Sequence, residues 1–202
     1  MSRFKAVALD MMGVVYSAGD DLREIVIPYL KERGCLESDD EIVAAYRSCY
    51  REGASARSFW ETLGFDPPHD AIEEGLLSRY ELMPGAVLFL ETMVSEAIPV
   101  FSLSNDVAEW ATMRRQRFGL ESYFRGCVVS GECKISKPQA GIYRILAQML
   151  PCSTSECIFV DDREANLDGA LTKGFRTALF GAEAHSAHAT VKDFGELIRL
   201  VT

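Results

Sequence analysis

The chain has 202 residues, 48% hydrophobic and 25% charged, with 15 glycines and 7 prolines, a balance that excludes disorder and collagen-like repetition and fits one globular unit with a smaller subdomain at most. Asp and Glu number 30 against 21 Lys and Arg, and the formal charge of −9 argues against nucleic acid as a partner, because phosphate backbones are held by basic stripes.

Met1-Ser2-Arg3-Phe4-Lys5 leads directly into a short apolar run, without the long apolar segment and small-residue cleavage site of a signal peptide. No apolar stretch approaches the ~18 residues of a spanning helix. A soluble, cytoplasmic protein without membrane contact is expected. Cys35, Cys49, Cys127, Cys133, Cys152 and Cys157 form no Cys-x-x-Cys pair, so reduced and mostly buried thiols are expected rather than a disulfide scaffold or a zinc site.

In chain order, Ala6-Val7-Ala8-Leu9 is an apolar run of strand length. From about Asp20 to Leu82 only helical patterns appear: Leu22 to Arg33, Asp40 to Arg51 and Ser58 to Leu63, stopped by Gly34, Gly53 and Gly64, and then Ala71 to Tyr80. Asp66-Pro67-Pro68 is a turn between them. Strand and helix then alternate: Pro99 to Leu103, helix Asp106 to Phe118, Cys127 to Val129, helix Pro138 to Met149, Cys157 to Val160, helix Glu164 to Lys173, and Thr177 to Phe180. Pro138 is placed at the first position of its helix. Such alternation implies an α/β fold with parallel strands joined by crossovers. The expected division is a body of residues 1–16 and 84–202 with a helical insert, 17–83, and Met83-Pro84-Gly85 as the return hinge.

In an open parallel sheet, ligands bind beyond the carboxyl ends of the strands. The first run ends in Asp10, the second in Ser104-Asn105-Asp106 and the fourth in Asp161-Asp162, while Lys137-Pro138 follows the third. One rim therefore receives carboxylates, a hydroxyl and an ammonium group.

These residues resemble the four ordered motifs of the haloacid dehalogenase (HAD) superfamily: Asp10-Met11-Met12-Gly13-Val14, Ser104-Asn105, Lys137-Pro138 and Asp161-Asp162-Arg163-Glu164-Ala165-Asn166. The helical insert falls where that family carries an α-helical cap. The resemblance spans nearly the whole chain and implies a Rossmann-like sheet with the nucleophile strand central. In phosphatase branches it implies that Asp10 attacks phosphorus to form an aspartyl-phosphate. Asp10, the Met12 carbonyl and Asp162 would ligate Mg²⁺, Asp161 would orient Lys137, and the Ser104 hydroxyl and Asn105 N–H would hold phosphoryl oxygens.

One residue departs from the phosphatase pattern. The second position after the nucleophile, usually an acid that protonates the leaving group, is Met12, whose thioether transfers no proton at neutral pH. General acid–base help is worth ~10²–10⁴-fold. The first reading is a Mg²⁺-dependent phosphohydrolase acting on a small phosphorylated metabolite, with an undemanding leaving group or an acid supplied by the cap. The second is a metal-independent 2-haloacid dehalogenase with a halogenated substrate, which needs no leaving-group proton. It ranks lower, because Asp161 and Asp162 beside Asp10 would repel one another without a cation. The third is a catalytically weak relative that binds a phosphorylated ligand.

Other residues read as structural. Asp106 and Asp168 are taken as first-turn helix charges, His69, His185 and His188 as exposed, and Lys134 as a surface lysine. Arg47, Arg51, Arg57 and Arg79 form a solvated face of the insert or, alternatively, one of them reaches down to an anionic substrate. Phe59, Trp60 and Phe65 make its small core or, alternatively, an apolar lid. Trp110 packs helix on sheet. Asn166 supports its loop or lines the pocket, toward which Met12 also projects.

Overall fold

The computed structural model describes residues 4–182 and 186–202. Its strands are β1 (Ala6–Leu9), β2 (Val100–Ser104), β3 (Phe124–Val129), β4 (Cys157–Asp161), β5 (Arg176–Phe180) and β6 (Ala189–Val191). They form one parallel sheet in the order β3-β2-β1-β4-β5-β6. The chain winds outward from β1 to β3 and then returns to the other side of β1. The topological switch point therefore lies between the ends of β1 and β4, where open α/β sheets form their ligand crevice.

Alternation along β1 explains the two apolar layers, since successive side chains point to opposite faces. Val7 and Leu9 share a cluster with Phe89 and Leu90 of helix Ala86–Ser95 and with Phe194 and Leu197 of helix Phe194–Val201. Ala6 and Ala8 face a second cluster containing Ile142 and Leu146 of helix Ala140–Met149 and Leu167 of helix Glu164–Leu171. With both faces covered, all four residues of β1 are buried.

In chain order the α-helices are α1 (Ile27–Glu32), α2 (Asp39–Glu52), α3 (Ala56–Thr62), α4 (Asp70–Leu77), α5 (Ala86–Ser95), α6 (Ala108–Arg117), α7 (Ser130–Cys133), α8 (Ala140–Met149), α9 (Glu164–Leu171) and α10 (Phe194–Val201). A π-helical stretch, Leu22–Val26, precedes α1. Ser38 and Glu41 start α2 with a capping box, and Gly53 ends it in the left-handed region at φ +74°. The chain enters and leaves these first helices side by side: Ser17 N–H donates to the Glu81 carbonyl at 3.0 Å and Met83 N–H to the Val15 carbonyl at 2.9 Å.

Several expectations need correction. Helices α5 and α10 and strand β6 were not among the elements expected from the sequence. The opening of α5, Ala86-Val87-Leu88-Phe89-Leu90, is apolar without a break and hides the helical period. Pro138 does not begin a helix: Lys137-Pro138 is a cis bond in a turn, and α8 starts at Ala140 with Gln139 as its N-cap.

Trp110 packs on the inserted helices, with ring centroids 5.0 Å from Phe59 and 5.6 Å from Trp60, within the cluster that also holds Val7 and Leu9 of β1. Its indole N–H and that of Trp60 both donate to Glu73 Oε1, at 3.0 and 2.8 Å. His69 is buried, lies 3.0 Å from the Phe65 carbonyl through Nε2 and stacks on Trp60. His188 is buried too, between the Thr177 hydroxyl at 2.8 Å and the exposed Asp168 carboxylate at 3.3 Å. Asp168 is accordingly in the body of α9, paired with a histidine, and not in the first turn. His185 lies outside the described residues.

Candidate active site

The residues at the strand ends converge. Asp10 continues β1, and its N–H donates to the Val160 carbonyl of β4 at 2.8 Å. The Lys137 Nζ lies 2.8 Å from Asp10 Oδ1 and 2.7 Å from Asp161 Oδ2, with all three side chains buried. Met11 N–H donates to Asp10 Oδ1 at 2.6 Å, so both close contacts of the Asp10 carboxylate go to that oxygen. Asp161 is saturated: Oδ1 accepts from Arg163 N–H and Asn166 Nδ2, each at 2.9 Å, and Oδ2 from Asn166 Nδ2 at 3.1 Å besides Lys137.

Asp162 contrasts with its neighbour. Its Oδ1 is buried and has no hydrogen-bond partner among the described residues. Gly13 permits the carboxylate to sit there: a Cβ on Gly13 would lie 2.3 Å from Asp162 Oδ2, and the φ of +73° suits glycine independently. Carboxylate oxygens of Asp10, Asp161 and Asp162 all fall within 4.8 Å of one another.

Three carboxylates around one buried ammonium, with the exposed Arg163 3.9 Å from Asp162 Oδ1, make a site short of positive charge. Burial, and then the Asp161 charge, raise the Asp10 carboxyl well above the usual range. The same two causes push Asp162 up to about 6. Burial opposes the charge on Lys137, but Asp10 and Asp161 outweigh it and raise the ammonium above its ordinary value. Clustered carboxylate oxygens are the donor chemistry a divalent ion such as Mg²⁺ takes, and Asp162 Oδ1, which makes no hydrogen bond among the described residues and lies 3.9 Å from Arg163 Nε, is the donor least engaged by the protein.

Ser104 ends β2 with a buried hydroxyl that has no hydrogen-bond partner among the described residues. The Asn105 side chain is occupied: Oδ1 accepts from Lys137 N–H at 2.8 Å and Nδ2 donates to the Lys137 carbonyl at 3.1 Å. This pairing fixes the Lys137 loop against the end of β2. Asp10, Met12, Asn105, Lys137 and Asn166 line a cavity of about 120 Å³. Met12 thus reaches the pocket as its position implies. Asn166 both lines the cavity and holds Asp161.

The comparison with protein families decides the broader identity: residues 4–172 match the haloacid dehalogenase-like hydrolases. The chain belongs to this family. Among solved HAD-family structures, a HAD phosphatase from Thermococcus onnurineus superposes with a TM-score of 0.72 at 17% identity, covering 97% of each chain. L-2-haloacid dehalogenase from Xanthobacter autotrophicus, with chloropropionic acid covalently bound, gives 0.68 at 17% identity over 98% of each chain. The HAD-hydrolase YfnB from Bacillus subtilis, bound to magnesium, gives 0.69 at 13% identity over 98% of each chain. Comparison with curated proteins returns no match. The HAD fold is thereby shared with both phosphatases and dehalogenases.

Other residues at this HAD site escaped the sequence reading. Asp20, Asp21, Leu22, Tyr46 and Tyr50 from the inserted segment line the same cavity, as does Arg163, which donates to the Gly19 carbonyl at 2.7 Å. Asp20-Asp21 directly before a helix was the available signal, but adjacent acids there ordinarily serve a helix terminus. Asp106 is no surface helix charge. It is buried and ion-paired with the equally buried Arg114. Lys134 is exposed. Phe59 and Trp60 are buried against α6 and are not among the residues lining the cavity. All six cysteines are free thiols. Among the described residues no helix is long and apolar enough to cross a membrane.

Proposed function

We propose that this HAD-family hydrolase is a Mg²⁺-dependent phosphohydrolase of small phosphorylated metabolites. The observation that carries the reading is the trio of carboxylates, two of them buried, around Lys137, with Asp162 Oδ1 making no hydrogen bond among the described residues and only a 3.9 Å ion pair to the exposed Arg163. Such a cluster is electrostatically costly unless a cation joins it.

Asp10, the Met12 carbonyl and Asp162 would hold Mg²⁺. When bound, the ion supplies charge that offsets the meeting of a carboxylate with a phosphate dianion. Asp10 attacks phosphorus through Oδ2, the oxygen that takes neither of the close contacts described above. The P–O bond to the alcohol breaks and an aspartyl-phosphate forms, which water then hydrolyses. Lys137 neutralises Asp10 and the transferring group, while Asp161 and Asn166 keep its ammonium in place. The Ser104 hydroxyl, having no partner in the protein, donates to a phosphoryl oxygen, and the Asn105 N–H serves the same group. Met12 offers no proton, so the leaving alcohol depends on solvent or another acid.

Residues 17–83 act as the cap and residues 1–16 and 84–202 as the core. The Glu73 carboxylate bonding one indole from each part holds the cap down over the cavity. Catalysis then takes place where water is largely excluded.

One observation favours a second reading. The uncharged Met12 lies beside Asp10 at the cavity wall, which suits halide displacement by a metal-independent 2-haloacid dehalogenase. Phosphate release from an aryl phosphate separates the two. Turnover that requires Mg²⁺ and disappears in Asp10→Asn supports the phosphohydrolase. Metal-independent halide release from 2-chloropropionate instead assigns the dehalogenase, and neither activity with phosphate-analogue binding retained assigns a binding relative.

A further inference from the structure

We propose that Asp21 makes this site selective for phosphate esters whose leaving alcohol carries an ammonium group. The inference rests on the phosphohydrolase reading of the same cavity and adds the chemical class of the leaving group.

Asp21 stands immediately before the helical stretch Leu22–Val26, where a carboxylate commonly caps the first turn, yet its side chain makes no capping hydrogen bond. It is 7% exposed. Its Oδ2 accepts from the hydroxyls of Tyr46, at 2.8 Å, and Tyr80, at 2.9 Å. Burial, reinforced by the Asp21 charge, raises both phenols well above their ordinary values, so they remain donors. Two hydroxyl donors from separate segments therefore orient the carboxylate.

No Lys, Arg or His nitrogen among the described residues comes within 4.0 Å of Asp21. The buried guanidinium of Arg114 acts on it only through space and is ion-paired with Asp106. A buried carboxylate held by neutral donors, without a cation of its own, is expensive unless a ligand completes it.

Its position says which ligand. Asp21 lines the cavity of about 120 Å³ that Asp10 and Lys137 also line. Those two mark the end where the phosphoryl group is handled. The remaining wall, from the inserted segment, presents Asp20, Asp21, Leu22, Tyr46 and Tyr50. Lys137 is committed to Asp10 and Asp161, and the exposed Arg163 reaches out to the Gly19 carbonyl. A second anionic group on the substrate would thus meet carboxylates. A short alkylammonium would donate a charge-assisted hydrogen bond to Asp21 and lie beside the Tyr46 and Tyr50 rings.

Calorimetric titration of the full chain with Mg²⁺ present, using 2-aminoethylphosphonate, propylphosphonate and phosphonoacetate, tests the selectivity without requiring turnover. The kcat/KM values for 2-aminoethyl phosphate and propyl phosphate test it in catalysis. The aminoalkyl ligand is expected to bind at least about tenfold more tightly than its propyl analogue. Asp21→Asn is expected to collapse that ratio, and the wild-type comparison stands even if this variant does not fold. Equal binding of the aminoalkyl and propyl ligands, or a preference for phosphonoacetate, overturns the proposal. Selective binding of the aminoalkyl phosphonate without hydrolysis of any ester supports the role of Asp21 while overturning the phosphohydrolase. Failure of all three ligands to bind overturns both.

Discussion

The Lys137 ammonium nitrogen lies 2.8 Å from Asp10 Oδ1, with both side chains shielded from solvent. The contact does two jobs, because the same nitrogen also neutralises Asp161. Lys137→Met keeps much of the side-chain volume but leaves those carboxylates facing each other. Loss of one partner from a buried pair costs about 3–5 kcal/mol. Urea unfolding of the metal-free protein should show that loss, and kcat should fall by about 10²–10³-fold with the electrostatic contribution removed. Unchanged stability would mean that the carboxylates are neutral without the lysine.

Met12 lines the cavity beside Asp10, and on the proposed phosphohydrolase reading it stands where a proton donor would serve the leaving group. Met12→Asp is therefore expected to accelerate hydrolysis of alkyl phosphates, whose alkoxides leave poorly, by about 10²-fold, at the lower end of the usual general-acid contribution. Aryl phosphates should gain much less. Steady-state rates on a matched alkyl and aryl pair read the difference. No gain on the alkyl ester would show that another group already supplies the proton or that a different step limits turnover.

Asp162, pushed up to about 6 by burial and then by the Asp161 charge, holds a proton below that pH. If Asp162 holds Mg²⁺ as proposed, proton and divalent cation compete for the same carboxylate. Mg²⁺ affinity should accordingly weaken as pH falls below about 6, by about tenfold per unit for each proton displaced. Calorimetric Mg²⁺ titrations at a series of pH values measure this slope. Chelation with EDTA should abolish phosphatase turnover and added Mg²⁺ should restore it; activity that survives chelation would contradict the assigned donor set.

Arg114 and Asp106 are ion-paired inside the protein, and the guanidinium carbon lies 4.4 Å from the centre of the Tyr80 ring. Arg114→Met should destabilise by about 3–5 kcal/mol, because it strands a buried carboxylate. The double variant Asp106→Asn/Arg114→Met should be more stable than the single one, since it no longer buries an unpaired charge. Urea denaturation of the four proteins in the cycle gives the coupling directly. Additive effects would refute the pairing.

The elements legible in the sequence are those with local causes. Ser38 and Glu41 announce the start of α2 and Gly53 its end through contacts a few residues apart. The β-branched and apolar runs became strands because a doubly covered parallel sheet has no polar face. Helix α5 was hidden by continuous apolarity, and Pro138 was misplaced because proline at a helix start and proline in a turn satisfy the same local rule. The buried states of His69, His188, Asp106 and Arg114 were not legible, since each depends on a partner that only packing brings near.

The same boundary runs through the candidate site. Asp10, Ser104, Lys137, Asp161 and Asp162 could be named from sequence because a parallel sheet presents the carboxyl ends of its strands along one rim. Chain order alone determined that they would share that rim. Only the tertiary structure decided that Asp161 is saturated while Asp162 Oδ1 makes no hydrogen bond among the described residues, and that Asp21 turns from its helix to Tyr46 and Tyr80 at the cavity wall. The physical reason is range: strand and helix signals act over a few residues, whereas which charge is paired depends on ångström distances between segments far apart in the chain.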